Sequence, residues 1–327
     1  MKVLNGLIKF FKLKLSKNNK MTQKVIKIGT RDSELALWQA HTVQNKLHEL
    51  GYKTEIISVK STGDLILDKP LYELGITGIF TKTLDIAMLK GEVDIAVHSM
   101  KDVPTALPIG IVQAAVLERA NVLDIMVHKG NLDFLDSNGT IASGSLRRKA
   151  QWLHKYPTHK VEDLRGNVNT RMQKLKDNNW DGAIFAAAGL ERINLKPTDY
   201  IDLNWMTPAP AQGAMLVVAM EKDSFTLEAL SNLNHKETEI CTYIERQFLR
   251  TLEGGCTAPI GALAIKNGNQ IDFQGVLFSL DGKEKFTIEK SCNFDTYLNF
   301  GQECAKEILK NGGKPLMEEL RRALKVK

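Results

Sequence analysis

From Val25 onward the chain alternates short β-branched runs with stretches of helical periodicity. That alternation restricts it to an α/β fold on a mainly parallel sheet, because parallel strands must be joined by a crossover and a helix is the usual one. VIKIG at 25–29 reads as a strand, followed by Asp32 or Ser33 as the cap of a helix whose apolar positions include Leu35, Trp38, Val43, Leu47 and Leu50. TEIISVK at 54–60 reads as a second strand, and a helix around 80–90 leads into VDIAV at 93–97, which stops at the loop His98 to Pro104. The rhythm then restarts, with strands near 124–128, 139–143, 159–162 and 182–187 and helices between them. Two similar α/β units are therefore expected, without a sequence repeat.

After the Pro-rich loop TPAPAQGA at 207–214, the strand MLVVAM at 215–220 is placed to return to the first sheet. The remainder differs in kind: a helix near 237–252, the loop EGGCTAPIG, strands near 262–266, 271–277 and 286–291, and helices near 295–311 and 315–325 describe a small α+β domain. The expected division is a basic leader over 1–22, a discontinuous first domain over 23–118 and 214–234, a second over 119–213, and a third over 235–327.

Charge narrows the function classes once it is located. The formal charge is +6, but residues 1–20 hold six lysines and no acid, which leaves 38 basic residues against 38 acidic ones. A neutral body argues against broad binding to a nucleic-acid backbone, so a basic cluster within it serves a small anion. Lys9 and Lys12 interrupt the apolar part of the leader, which makes a secretory signal a poor reading; a dispensable tail, with Met21 as an alternative start, is favoured over a surface-active helix. No apolar run approaches a membrane span. Cys241, Cys256, Cys292 and Cys304 lie far apart with no Cys-x-x-Cys pair, which argues against a zinc site and for a reducing cytoplasm.

Five arginines recur where an expected strand hands over to a helix: Arg31, Arg147 and Arg148, then Arg165 and Arg171 around RGNVNT. In open α/β sheets that edge is the ligand crevice, and helix N-termini there favour anions. Arginine suits several carboxylates or phosphates, since its planar fork binds them bidentately and keeps its charge. Asp102 follows Lys101 and precedes Val-Pro, so a fixed carboxylate in a cationic crevice is expected; such a group either stabilises a cation and moves protons, or simply pairs with Lys101. His98, Ser99 and Asp102 are too close in sequence for a catalytic triad. Cys256 follows two glycines in a permissive loop and reads either as a presented, reactive thiol or as a buried one. Gln39, Gln212 and Gly213 are further candidates for substrate contact. GITGIF at 75–80 lacks the spacing of a dinucleotide fingerprint.

GTRDSELALWQA, VDIAVHSMKDVPT, SLRRKAQ, LRGNVNTR, AAAGLERI, PAPAQGA and LEGGCTAPIGA occur in the order and approximate spacing of the porphobilinogen deaminase (hydroxymethylbilane synthase) family. The resemblance covers residues 25 to about 325. It implies two α/β domains resembling periplasmic binding proteins and a third domain carrying a cysteine loop. It also implies an enzyme that condenses four porphobilinogen molecules with loss of ammonia, on a dipyrromethane cofactor held by a thioether to Cys256, and releases hydroxymethylbilane. Asp102 matches the family's catalytic carboxylate. Lys101, Ser145, Arg147, Arg148, Arg165 and Arg171 match cofactor contacts, and Arg31 and Ser33 match substrate contacts. The chain departs from the family pattern at Ala142-Ser143-Gly144-Ser145, which puts one hydroxyl contact in doubt. It departs again at Gly75–Leu84, read as a cover over the site that lacks the usual Lys and Glu. A non-catalytic two-lobed binder of a polycarboxylate is the competing reading, and it would need neither Asp102 nor a presented thiol. The expected protein is a cytoplasmic monomer.

Overall fold

The computed structural model describes residues 24–60, 80–252 and 258–324; the leader, the first half of the expected cover segment (75–79) and the loop holding Cys256 lie outside the described residues. The first lobe begins with strand β1 (Val25–Thr30), helix α1 (Glu34–Glu49), β2 (Lys53–Ser58), α2 (Lys82–Leu89), β3 (Ile95–Ser99) and β4 (Ile111–Val116). The second contains β5 (Asp124–His128), β6 (Thr140–Ala142), α3 (Leu146–Lys155), β7 (Lys160–Glu162), α4 (Val168–Asp177), β8 (Gly182–Ala186), α5 (Ala187–Arg192) and β9 (Tyr200–Asp202). Then come β10 (Met215–Met220), α6 (Ser224–Ser231), α7 (Lys236–Thr251), β11 (Ile260–Asn267), β12 (Gln270–Phe278), β13 (Lys285–Asn293), α8 (Phe300–Ile308) and α9 (Lys314–Leu324).

The two lobes share one sheet plan. The first sheet has the order β2-β1-β3-β10-β4 and the second β7-β6-β8-β5-β9. In each, a central strand lies parallel to both its neighbours, and one strand delivered from the other lobe runs antiparallel between two others. β10 lies between β3 and β4 with both faces covered, which explains why MLVVAM is an unbroken apolar run rather than an alternating one. Strand order reverses beside β1 in one sheet and beside β6 in the other, so each lobe has a switch point where a ligand crevice opens at the strand ends.

Two segments cross between the lobes, and they lie side by side where Ala120 N donates to Gly213 O at 3.1 Å. Gly213 has φ +84°, and a Cβ there would stand 2.6 Å from the Ala120 carbonyl, so only glycine lets the strands of chain approach this closely. Ala211 is held at φ +62°. Its N–H donates to Glu245 Oε2 at 2.6 Å, which secures a conformation that alanine rarely adopts.

Glu245 belongs to the third unit, an antiparallel sheet β11-β12-β13 with one face packed under α7, α8 and α9. Phe248, Phe273, Leu277, Ile308 and Leu320 form its core, and the Phe248 and Phe273 rings meet edge to face at 5.2 Å. The Glu245 carboxylate accepts a bidentate pair from Arg119 (2.6 and 3.0 Å) and a further bond from Ala264 N at 2.7 Å. Arg119 also donates through Nε to Gln212 O at 2.8 Å. One buried ion pair thus ties the third unit to both crossing segments.

The α/β class and the small α+β unit match expectation, and several details differ. Trp38 and Leu50 were expected on the core face of α1, yet they are exposed, and Ala36, Ala40, Val43 and Leu47 fill the core instead. The strand expected at 93–97 runs from Ile95 to Ser99, so His98 and Ser99 belong to it and Met100–Asp102 forms a single 3₁₀ turn. β4 and β9 were not anticipated.

Glu245→Ala should destabilise the protein by about 3–5 kcal/mol, because it leaves the Arg119 guanidinium and two backbone N–H groups without their acceptor. Glu237→Ala, on an exposed pair of the same helix, should cost about 1 kcal/mol or less. Urea unfolding of the two variants measures this; equal losses would mean that the pair does not clamp the units.

Candidate active site

A crevice of about 330 Å³ opens between the two lobes at both switch points. That size is in the range of small-molecule sites. Among the described residues seven basic side chains line it, against the carboxylates of Glu34 and Asp102.

The first lobe supplies the ends of β1 and β3. Arg31 follows β1, and its guanidinium lies 4.6 Å from the Phe80 ring centroid. Ser33 caps α1 by backbone position alone, without a side-chain hydrogen bond to the helix, so its hydroxyl is not tied up in capping. Gln39, one turn further on, is buried and donates to Ser99 Oγ at 2.9 Å. Beyond β3 the turn carrying Lys101 and Asp102 is braced from behind by Arg246 of α7. This residue donates to the carbonyls of Met100, Val103 and Pro104 at 3.2, 2.9 and 2.6 Å. Among the described residues no hydrogen bond or ion pair holds the Asp102 carboxylate, so the alternative of a simple pair with Lys101 does not describe the geometry.

The second lobe supplies three helix starts. Ser145 caps α3, accepting from Arg148 N at 3.5 Å, and Asn167 caps α4, accepting from Thr170 N at 2.9 Å. Gly166 stands at φ +111°, a value that L side chains rarely adopt, and the turn it allows lets Arg171 Nε donate to Gly166 O at 2.7 Å. Arg165 and Arg171 both line the crevice from this loop. Arg147 and Arg148 are more deeply buried than a surface pair would be, at 4% and 5% exposure, and both converge on Asp124 at the start of β5. Gln212 is wholly buried: its amide donates to Val122 O and Asp124 Oδ1, and its carbonyl accepts from Lys101 Nζ at 3.3 Å. Its polar atoms thus tie the frame of the crevice together, and Gln212 is itself part of the lining.

The electrostatics follow from this crowding. Burial and the neighbouring Arg148 push the Lys101 ammonium down to about 8, although Asp102 and Asp124 pull it the other way. Burial, with Arg31 nearby, lowers His98 to about 4, so its ring is neutral at pH 7. Arg171 is lowered to about 10 by burial and by Arg148, with Asp102 opposing. Burial alone would raise Asp124, but the two guanidiniums overcome it and hold the carboxyl well below its usual range.

Sequence reasoning missed Arg192, at the end of α5. It lines the crevice, donates to Gly213 O at 2.7 Å and lies 5.5 Å from the Trp38 ring, and burial lowers it to about 10. This contact also accounts for the exposed Trp38. Arg192 sits at a helix end rather than at a strand-to-helix turn, so the rule that found the other arginines passes over it. Asp124 was missed as well, and its one signal was an acid heading an apolar strand. Cys256 lies outside the described residues.

Comparison with known proteins identifies a family for the chain. Residues 26–228 match the family described as "Porphobilinogen deaminase, dipyromethane cofactor binding domain", and residues 239–310 match "Porphobilinogen deaminase, C-terminal domain". The chain is 40% identical over 303 residues to a porphobilinogen deaminase of Syntrophomonas wolfei, covering 91% of this chain and 99% of the relative. It is 41% identical over 310 residues to a chloroplastic porphobilinogen deaminase of Oryza sativa, covering 90% and 86% respectively. Among solved structures, the periplasmic VFT2 domain of Bordetella pertussis BvgS aligns with 64% of this chain and 86% of its own, at 15% identity and a TM-score of 0.40. The second substrate-binding domain of a putative amino acid ABC transporter from Streptococcus pneumoniae aligns with 64% and 91%, at 11% identity and a TM-score of 0.41. With matches that span both lobes and the third unit, the chain belongs to the porphobilinogen deaminase family.

Proposed function

We propose that this chain is a transferase that condenses four porphobilinogen molecules stepwise, with loss of ammonia, on a dipyrromethane primer attached to Cys256, and releases hydroxymethylbilane after hydrolysis. The observation that carries the reading is Asp102: among the described residues its carboxylate is free of hydrogen bonds, whereas Glu34, the other acid of a lining with seven basic side chains, accepts from Asn169. A two-lobed binder of polycarboxylates needs the bases and has no use for that acid.

The donor set fits the primer. Each pyrrole of this kind carries an acetate and a propionate, so two joined rings bring four carboxylates. Lys101, Ser145, Arg147, Arg148, Arg165 and Arg171 would hold them, while Arg31 and Ser33 receive the incoming substrate; Gln39 acts behind them through Ser99. When bound, the dipyrromethane supplies an electron-rich pyrrole carbon for the new bond. The side chains do the rest. As the C–N bond of porphobilinogen breaks, its electron pair leaves with ammonia, and the substrate becomes a resonance-stabilised azafulvenium cation. The Asp102 carboxylate lowers the barrier to that cation and accepts or returns the proton as a ring rearomatises. Neutral His98 adds no opposing charge near the forming cation.

We read the chain as three domains: 23–118 with 214–234, 119–213, and 235–327. Because the site residues named here come from one chain, a monomer suffices. No described helix is long and apolar enough to cross a membrane. The free thiols of Cys241 and Cys304, which burial pushes up to about 12, favour a cytoplasmic setting.

Asp102→Asn keeps the shape of the site and removes the charge, so turnover should fall on the order of 100-fold or more while porphobilinogen still binds. Single-turnover ammonia release, run beside mass spectrometry of bound species, measures this, and near-normal release would overturn the assignment. A second test uses pH. Lys101 is charged below about 8 and loses its proton as pH rises through that value, so kcat/KM should fall on the alkaline side near pH 8. Lys101→Met should lower kcat/KM and remove that limb; a limb that survives the substitution belongs to another group.

A further inference from the structure

We propose that Asp124 is a positioning residue that presents Arg147, Arg148 and, through Gln212, Lys101 to the carboxylates of the bound pyrroles. This rests on the reading of the crevice given above, and it concerns a residue that does not itself line the crevice.

The start of α3 carries charge of the unfavourable sign. Arg147 and Arg148 occupy the first turn of α3, where the helix dipole disfavours cations, and that turn holds no acid of its own. Adjacent guanidiniums also repel each other, and burial removes the water that would screen them. Asp124, with 0% exposure, answers both problems from another strand. Its Oδ1 accepts from Arg148 Nε at 2.9 Å and pairs with Nη2 at 2.8 Å, and its Oδ2 lies 2.7 Å from Arg147 Nη1. Carbonyl groups add to the hold: the same Arg147 Nη1 donates to Thr207 O at 2.7 Å, and Arg148 Nη1, at the end away from Asp124, donates to Ile184 O at 3.0 Å. Each guanidinium has five N–H donors, so both keep donors beyond these contacts, on side chains that line the crevice.

One carboxylate shared by two cations leaves an excess of positive charge, which suits a site completed by an anionic ligand better than a closed structural pair. The arrangement also extends across the lobes. Gln212 donates to Asp124 Oδ1 at 3.0 Å and accepts from Lys101 Nζ at 3.3 Å, so the acid in the second lobe is linked through the crossing segment to the base beside Asp102 in the first. The charged groups facing Lys101 are Arg148 and Arg147, which oppose its proton, and Asp102 and Asp124, which help retain it.

The test compares Asp124→Asn with the parent protein, with Asp124→Glu as the rescue. Asparagine keeps the size and an acceptor oxygen but no charge. The expected result is a KM for porphobilinogen raised about tenfold with a smaller change in kcat, as for the loss of one charge-assisted contact made in both ground and transition states. The alkaline limb of kcat/KM should also move to lower pH, because Lys101 loses one of the two acids that hold its proton. Intact-protein mass spectrometry, independent of turnover, should show a smaller fraction of chains carrying the covalent group, and Asp124→Glu should recover part of each loss. If Asp124→Asn does not fold, Gln212→Leu, which cuts the link to Lys101 and leaves both ion pairs, should still move the alkaline limb to lower pH. A folded Asp124→Asn with the KM and pH limb of the parent would overturn the proposal, as would an unmoved limb in Gln212→Leu. Both results stand apart from failure of the reading itself, in which the parent would not consume porphobilinogen at all.

Discussion

Mutual repulsion among the bases of the crevice is the constraint to which the rest of the structure answers. Among the described residues seven basic side chains line one space between two lobes, and three helix starts in the second lobe add positive potential to the same side. Removing such charges from water costs several kcal/mol per ion even after relaxation. The protein offsets this only partly: Asp124 is shared between two arginines, and Arg31 and Arg192 rest against aromatic rings. What remains is an electrostatic deficit that a molecule with several carboxylates completes.

The fold explains how bases from distant parts of the chain meet. Two sheets of the same plan place their switch points face to face, and after each crossing the chain enters the new lobe as an antiparallel strand, β5 in the second and β10 in the first. The second crossing segment therefore forms part of the crevice wall through Gln212 and Gly213. The third unit is more than an appendage. Through Arg246 it braces the turn of Asp102, and through Glu245 it grips Arg119 and Ala211, so one helix, α7, supports both the acid and the crossing segments. That helix ends at Thr251, shortly before the segment holding Cys256.

Much of this was readable in the amino-acid order because it is written locally. Runs such as VIKIG and MLVVAM announce strands by their β-branched and apolar content, and arginines just after strands, such as Arg31 after β1 and Arg147 and Arg148 after β6, fall on the crevice edge by topology alone. Other features arise from pairing across the chain and leave little local trace. β9 is three residues long and exists because it pairs with β5. Trp38 looks like core by its chemistry, but its position on α1 places it against Arg192, more than 150 residues away in sequence. Gln212 reads as a polar residue in a loop and so as a substrate contact, yet burial commits every polar atom it has to protein partners. Asp124 gives the same lesson in reverse: a single acid at the head of an apolar strand became interpretable only once two guanidiniums were found upon it.

The central claim is that the crevice works on a polycarboxylate pyrrole primer tethered to this chain at Cys256. Intact-protein and peptide mass spectrometry of the purified protein after incubation with porphobilinogen tests it most directly. The account predicts a covalent dipyrromethane on Cys256, absent from Cys256→Ser, with Cys241, Cys292 and Cys304 unmodified. Steady conversion of porphobilinogen by a protein bearing no adduct, or an adduct on another cysteine, would contradict it.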